Sequence, residues 1–67
     1  MNIRVNGQTI HFPKEKMTII DLLSSYQLQE KIAVVERNKE IVSKEAYRQT
    51  ELKDGDTIEI VHFVGGG

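Results

Sequence analysis

The chain has 67 residues, 39% of them hydrophobic and 28% charged, with a formal net charge of -1. That balance is the one of an ordinary small globular domain, without the basic excess of a nucleic-acid binder or the basic run of a membrane-surface segment. The absence of cysteine excludes disulfides, thiolate metal sites and a cysteine nucleophile, and one domain of this size, burying only about 60% of its unfolded surface, leaves little room for a catalytic pocket.

In chain order, Asn2-Ile3-Arg4-Val5 alternates polar and apolar residues and runs into Asn6-Gly7, the favoured pair for a two-residue hairpin turn. Gln8-Thr9-Ile10-His11-Phe12 alternates again, so a β-hairpin is predicted with Ile3, Val5, Ile10 and Phe12 on one face. Pro13 ends the second strand because it has no N–H for a ladder. Thr18 is a good helix N-cap, and Asp21 at the third helical position favours the positive helix end. Ile19, Leu22, Leu23 and Tyr26 follow at helical spacing and are predicted as one buried stripe, with the helix fading between Tyr26 and Leu28.

Lys31 to Glu36 is rich in β-branched residues and reads as a third strand. Arg37 to Glu40 is a polar turn, and Ile41-Val42 and Tyr47 are each expected to carry a short strand. Leu52 anchors an Asp54-Gly55 turn in the core. Thr57 to Val64 is the strongest strand pattern in the chain. No repeat or linker divides the chain, and no apolar run is long enough for a membrane span or signal peptide, so a cytoplasmic location is expected.

The order hairpin, helix, strand, small strands, last strand resembles the β-grasp, or ubiquitin-like, arrangement. This is an α+β fold in which one main helix packs on one face of a mixed sheet of four to five strands, with the last strand beside the first. The expected division is a domain over 1–64 and a glycine tail over 65–67.

Gly65, Gly66 and Gly67 follow the strongest strand with no helix before them to cap. Glycine lacks a Cβ, so such a segment passes through a narrow channel. Extended, the three residues reach roughly 10 Å beyond Val64. A terminal carboxyl has a pKa of about 3.3–3.7 and is ionised at neutral pH. A carboxylate is a poor acyl electrophile and needs activation, for example as an acyl adenylate made from ATP. The chain has no glycine-rich phosphate loop followed by Lys and Ser or Thr, so the activating site is expected in another protein.

Across nearly its whole length the sequence resembles the ThiS family of sulfur carriers. The resemblance rests on the small size, the Asn6-Gly7 hairpin and the helix start Thr18-Ile19-Ile20-Asp21-Leu22-Leu23. It rests further on Ile32-Ala33-Val34-Val35-Glu36-Arg37-Asn38, Asp54-Gly55-Asp56 and the run Glu59-Ile60-Val61-His62-Phe63-Val64-Gly65-Gly66. It implies that a ThiF-type enzyme adenylates Gly67 with MgATP and that cysteine-derived sulfur converts it to a thiocarboxylate. A ThiG-type thiazole synthase then takes the sulfur into the thiazole of thiamine. Gly65, Gly66 and Gly67 would enter the partners' active sites, while the chain itself would be a co-substrate with no catalytic residue, bound cofactor or metal. The family pattern ends in two glycines and this chain in three, which changes the reach by one residue. A molybdopterin-type sulfur carrier, a ubiquitin-like protein modifier and an interaction module with an inert tail are the competing readings.

Period-two alternation in the last strand puts Ile58, Ile60, His62 and Val64 on the core side and Thr57, Glu59, Val61 and Phe63 on the other. Val61 and Phe63 are apolar where solvent is expected. Ala33 and Val35, read as alternating with core-facing Ile32 or Val34, are expected to join them. The predicted partner-binding patch is therefore Val61, Phe63 and Val35. His62 is read as a rim residue rather than a general base. His11 is read as a solvated strand residue, and Asp54, Asp56 and Glu59 as a turn and a solvated face, with basic partner groups as the functional alternative.

Overall fold

The first turn forms as its residue types demand. In the computed structural model, which describes residues 1–62, Asn6 and Gly7 have φ of 49° and 85°, the paired positive values of a type I′ turn. They join β1 (Asn2–Val5) to β2 (Gln8–His11) as an antiparallel hairpin with Ile3 opposite Ile10. Ile3 and Val5 are buried, and Ile10 and Phe12 are half-buried against the core. The second strand stops at His11, ahead of Pro13.

Helix α1 (Ile19–Ser25) starts on Thr18, whose Oγ1 accepts from the Asp21 N–H at 3.3 Å while an Asp21 carboxylate oxygen accepts from the Thr18 N–H at 2.9 Å. This reciprocal box satisfies two otherwise orphaned donors. Ile19, Leu22 and Leu23 are buried as expected, but Tyr26 is 41% exposed and leaves the predicted stripe. It caps the helix instead of continuing it: Gln27 takes the left-handed conformation, φ 58°, and the Leu28 N–H returns to the Leu23 carbonyl at 3.0 Å. That closure carries Leu28, not Tyr26, onto the core.

The predicted third strand begins two residues late, because Glu30–Ile32 forms a single 3-10 turn before β3 (Ala33–Arg37). Asn38 and Lys39, with φ of 51° and 71°, make a second tight hairpin to β4 (Glu40–Val42). Tyr47 does not carry a strand. It follows a 3-10 turn at Lys44–Ala46, is 1% exposed, and donates its hydroxyl to the Ala33 carbonyl at 2.9 Å. An aromatic with a polar tip fills the core best when that tip finds an acceptor, and burial here raises the phenol pKa. Tyr47→Phe is expected to lower stability by about 1–2 kcal/mol, because the Ala33 carbonyl loses its hydroxyl donor. That corresponds to a fall in melting temperature of several degrees, roughly 4–8 °C per kcal/mol; an unchanged thermal melt would show the bond to be dispensable.

Strand β5 (Thr57–His62) lies in the middle of a five-stranded sheet of order β2-β1-β5-β3-β4. It runs parallel to β1, with Arg4 opposite Thr57, and antiparallel to β3, with Val35 opposite Ile60. Helix α1 supplies Ile19, Leu22 and Leu23 to the same core as Ile3, Val5, Ala33, Val35, Ile58 and Ile60. Leu52 joins them, its N–H donating to the Met17 carbonyl at 2.7 Å. Among the described residues, the sheet order, the single α-helix and the placement of the last strand beside the first agree with the expected β-grasp arrangement. Among the described residues no helix is long and apolar enough to cross a membrane.

Candidate functional site

The site is organised by β5, the strand that leads toward the C-terminal glycines. Its central place follows from its residues: Ile58 and Ile60 bury one side, while backbone pairing with β3 from Ile58 to His62 and with β1 at Thr57 and Ile58 satisfies polar groups there. Val34 of β3 stands opposite Val61, and Glu36 stands opposite Glu59. Residues directly opposite one another share a face, so Val61, Val34, Glu59 and Glu36 lie together on the side away from the core. Ile41 of β4, opposite Glu36, belongs to the same face and is 72% exposed. Val61 is 57% exposed. The open face thus presents a valine pair at the tail end of β5 and, one pair further back, two carboxylates.

This register corrects one member of the predicted patch. Val35 is fully buried, as is Ala33, and both belong to the core. Pairing Val35 with Ile60 and Val34 with Val61 inverts the expected alternation. The run from Ile32 to Val35 is apolar throughout, so its own pattern does not reveal which side faces in. The available signal was Glu36: a half-exposed carboxylate two residues from Val34 places Val34 on the solvent side. Phe63, the third member of the patch, and Val64, Gly65, Gly66 and Gly67 lie outside the described residues.

His62 has the parity of Ile58 and Ile60, yet it is exposed. With Val5, Asn6, Tyr26, Leu28 and Ile60 it lines a groove of about 240 Å³ where the helix ends short of the strand. No group of three His, Asp or Glu residues capable of holding a metal exists among the described residues.

The acidic turn has a structural task. Asp56 is 6% exposed, and its Oδ2 accepts from Arg37 Nε at 2.9 Å and from the Lys53 N–H at 2.8 Å. Its Oδ1 accepts from Asn38 Nδ2 at 3.1 Å. Burial alone would raise the Asp56 pKa, but these donors and the Arg37 charge outweigh it and hold the carboxyl below its ordinary value. Asp54 accepts the Asn2 N–H at 2.7 Å. Asp56 is thus fully engaged within the chain, whereas Asp54 and Glu59 are exposed.

Comparison with known proteins adds four findings. The ThiS family model matches residues 3–67. The sulfur carrier protein ThiS of Bacillus subtilis (strain 168) is 58% identical over 65 residues, covering 97% of this chain and 98% of that protein. The crystal structure of a thiamine biosynthesis protein (ThiS) from Geobacter metallireducens superposes with a TM-score of 0.85 at 38% identity, covering all of both chains. A thiazole synthase from Paramagnetospirillum magneticum is 42% identical over 67 residues, a match that takes in all of this chain but only 20% of that protein.

Proposed function

Since the chain belongs to the ThiS family, we propose that it is a sulfur carrier of thiamine biosynthesis that works through the carboxylate of Gly67. The observation that carries this reading is the 58% identity to the Bacillus subtilis carrier across nearly the full length of both chains. The chemistry needs a partner with MgATP. A Gly67 oxygen attacks the α-phosphorus of ATP and pyrophosphate leaves, giving an acyl adenylate. A sulfide-level sulfur, derived from cysteine, attacks the carbonyl carbon and expels AMP, leaving a thiocarboxylate. The adenylating partner is of the ThiF type, and the acceptor of the sulfur is a ThiG-type thiazole synthase. The match to a thiazole synthase, a fifth of which is similar to this whole chain, supports that second partnership. In this reading the protein is a cytoplasmic co-substrate and not an enzyme. The domain over 1–64 holds the tail, and Gly65 and Gly66 thread it into each partner.

The docking surface in this reading is the open face at Val61 and Val34, to which sequence alternation adds Phe63, because it adjoins the segment the adenylating enzyme must grip. Glu36 and Glu59 stand opposite one another beside the valines, a like-charge pairing that is unfavourable in the free sheet and that a basic group on the enzyme relieves.

Intact mass spectrometry tests the proposal. After incubation with the adenylating enzyme, MgATP and a sulfur source, the chain is expected to gain the mass of one sulfur in place of one oxygen, mapped to Gly67. Deleting Gly67 shortens the reach by roughly 3.5 Å and is expected to slow that conversion at least about tenfold. Equal conversion of the shortened chain would move the reacting position to Gly66, absence of conversion in the full chain would favour an inert tail, and adducts on lysines of other proteins would favour a modifier.

A further inference from the structure

The parallel pairing of β1 with β5 stops at Val5 opposite Ile58, because the chain turns away at Asn6-Gly7. From there on, among the described residues, β5 has a backbone neighbour only in β3, which pairs with it as far as Ala33 opposite His62. The gap on the other side is bridged by one side chain. Asn6 donates its own N–H to the Ile58 carbonyl at 2.9 Å. Its Oδ1 accepts from the Ile60 N–H at 2.8 Å, and its Nδ2 donates to the Ile60 carbonyl at 3.2 Å. The carboxamide, with one acceptor and one donor group side by side, does what the peptide of another strand residue would do. Beyond it, β5 borders the groove lined by Val5, Tyr26, Leu28 and His62.

Two demands meet at this position. The turn needs a residue that accepts positive φ, which glycine, asparagine and aspartate all do. The strand needs a donor and an acceptor at once. Glycine offers neither, and aspartate offers only acceptors.

Taking as given the proposed reaction at Gly67, we infer that Asn6 is a positioning residue for it: its carboxamide clamps Ile60 and so sets the direction in which the reacting tail leaves the sheet. Gly67 lies seven residues beyond Ile60, at most about 24 Å of extended chain. β5 ends at His62, two residues and at most about 7 Å beyond Ile60, so a swing of about 10° at the clamp displaces the point where the tail begins by roughly 1 Å, and misplacements near 1 Å already weigh heavily on a reaction between held groups. Asn6 touches neither substrate nor cofactor in this account; it acts through the strand.

The test uses the full chain and the adenylating enzyme with MgATP and a sulfur source, and compares wild type, Asn6→Gly and Asn6→Asp. Glycine keeps the turn and removes the clamp. The Ile60 amide is then expected to exchange with solvent about tenfold faster, while the Leu52 amide, bonded to Met17, stays protected. With the open face untouched, KM for the carrier is expected within about twofold of wild type and kcat about tenfold lower. Asn6→Asp keeps the acceptor for the Ile60 N–H and loses the donor, so its kcat is expected between the two. An Asn6→Gly chain with a fast-exchanging Ile60 and wild-type kcat overturns the inference. Should Asn6→Gly fail to fold, Asn6→Asp decides by the same split, and a wild-type kcat there overturns it as well. A wild-type chain that gains no sulfur overturns the proposed function itself, and this inference with it.

Discussion

Asp56→Ala is expected to lower the melting temperature by more than about 10 °C and to leave a large fraction of the chain unfolded at 37 °C. The carboxylate holds three donors at once, on Arg37, Asn38 and the Lys53 backbone, in a nearly buried position. Through them it ties the Asp54-Gly55 turn to the hairpin between β3 and β4. Asn38, fixed from one side by Asp56, in turn accepts the Thr57 N–H at 2.9 Å and donates its own N–H to the Thr57 carbonyl at 2.8 Å. Alanine strands the Lys53 N–H and loosens the start of β5. Arg37 is 27% exposed and regains water, which holds the loss to about 2–3 kcal/mol. A domain of this size has only roughly 3–5 kcal/mol to lose, so the consequence is near-global, and at roughly 4–8 °C per kcal/mol it reads directly in a thermal melt. A melt within a few degrees of wild type would show that the loop is held by other contacts.

The same carboxylate gives the fold an acid edge. Its pKa is depressed in the folded state, so the folded protein binds the proton less readily than the unfolded chain does. The stabilisation is complete above the unfolded value of about 3.9 and is lost as the pH falls from there through the lower folded value. The stability difference between wild type and Asp56→Asn, measured by urea titration, is therefore expected to be constant near neutrality and to shrink below about pH 4. A difference that persists unchanged at pH 3 would deny the charge any part in it.

Val61→Asp is expected to act in the opposite way, sparing the fold and weakening the encounter with the adenylating enzyme. Val61 is 57% exposed and gives the core nothing, so stability is expected to fall by no more than about 1 kcal/mol, the span of strand preference. The substitution places a charge among Val34, Glu36 and Glu59, where the open face meets its partner in the proposed complex. Loss of one central apolar contact and a desolvation penalty for the new carboxylate raise KM for the carrier by at least about tenfold, with kcat at saturation retained. Ile41→Asp, on the same face but on the outer strand β4, serves as the control and is expected to change KM less than about threefold. Equal effects at both positions, or none at Val61, would remove the tail end of this face from the docking surface. Set beside the Asn6 variants, the pair separates holding the partner from aiming the tail.

Most of the fold was legible where local chemistry has one solution. Asn6-Gly7 permits one tight turn, Thr18 with Asp21 permits one helix start, and Thr57 to Ile60 alternates without ambiguity. Legibility failed where the answer depended on a partner strand or on the end of an element. Ala33 to Val35 offers apolar residues to both faces, so only pairing with β5 decides that Val35 goes in and Val34 out. Tyr26 has helical spacing from Leu22 and Leu23, yet the chain leaves the helix at Gln27, a residue with no obvious preference for positive φ. Tyr47 is a lone aromatic directly after a 3-10 turn, placed by a distant carbonyl and not by any pattern around it. In the site, Val61 was legible from alternation alone, while Asn6 was not: its residue type is fully accounted for by the turn, and its second task exists only because Ile60 is brought beside it from 54 positions away.

The placement of β5 at the centre of the sheet also bears on biosynthesis. Ile58 and Ile60 complete the core between β1 and β3, so every strand made earlier awaits the last of the five to be synthesised. While the ribosome still holds Thr57 to His62, the nascent chain has a hairpin, a helix and β3 with no sheet to join them. A message or a chain cut short before this segment yields a polypeptide that cannot close its core and falls to proteolysis. Folding thereby acts as a check on the presence of β5, and the copies that survive are those that already possess the strand leading to the glycines.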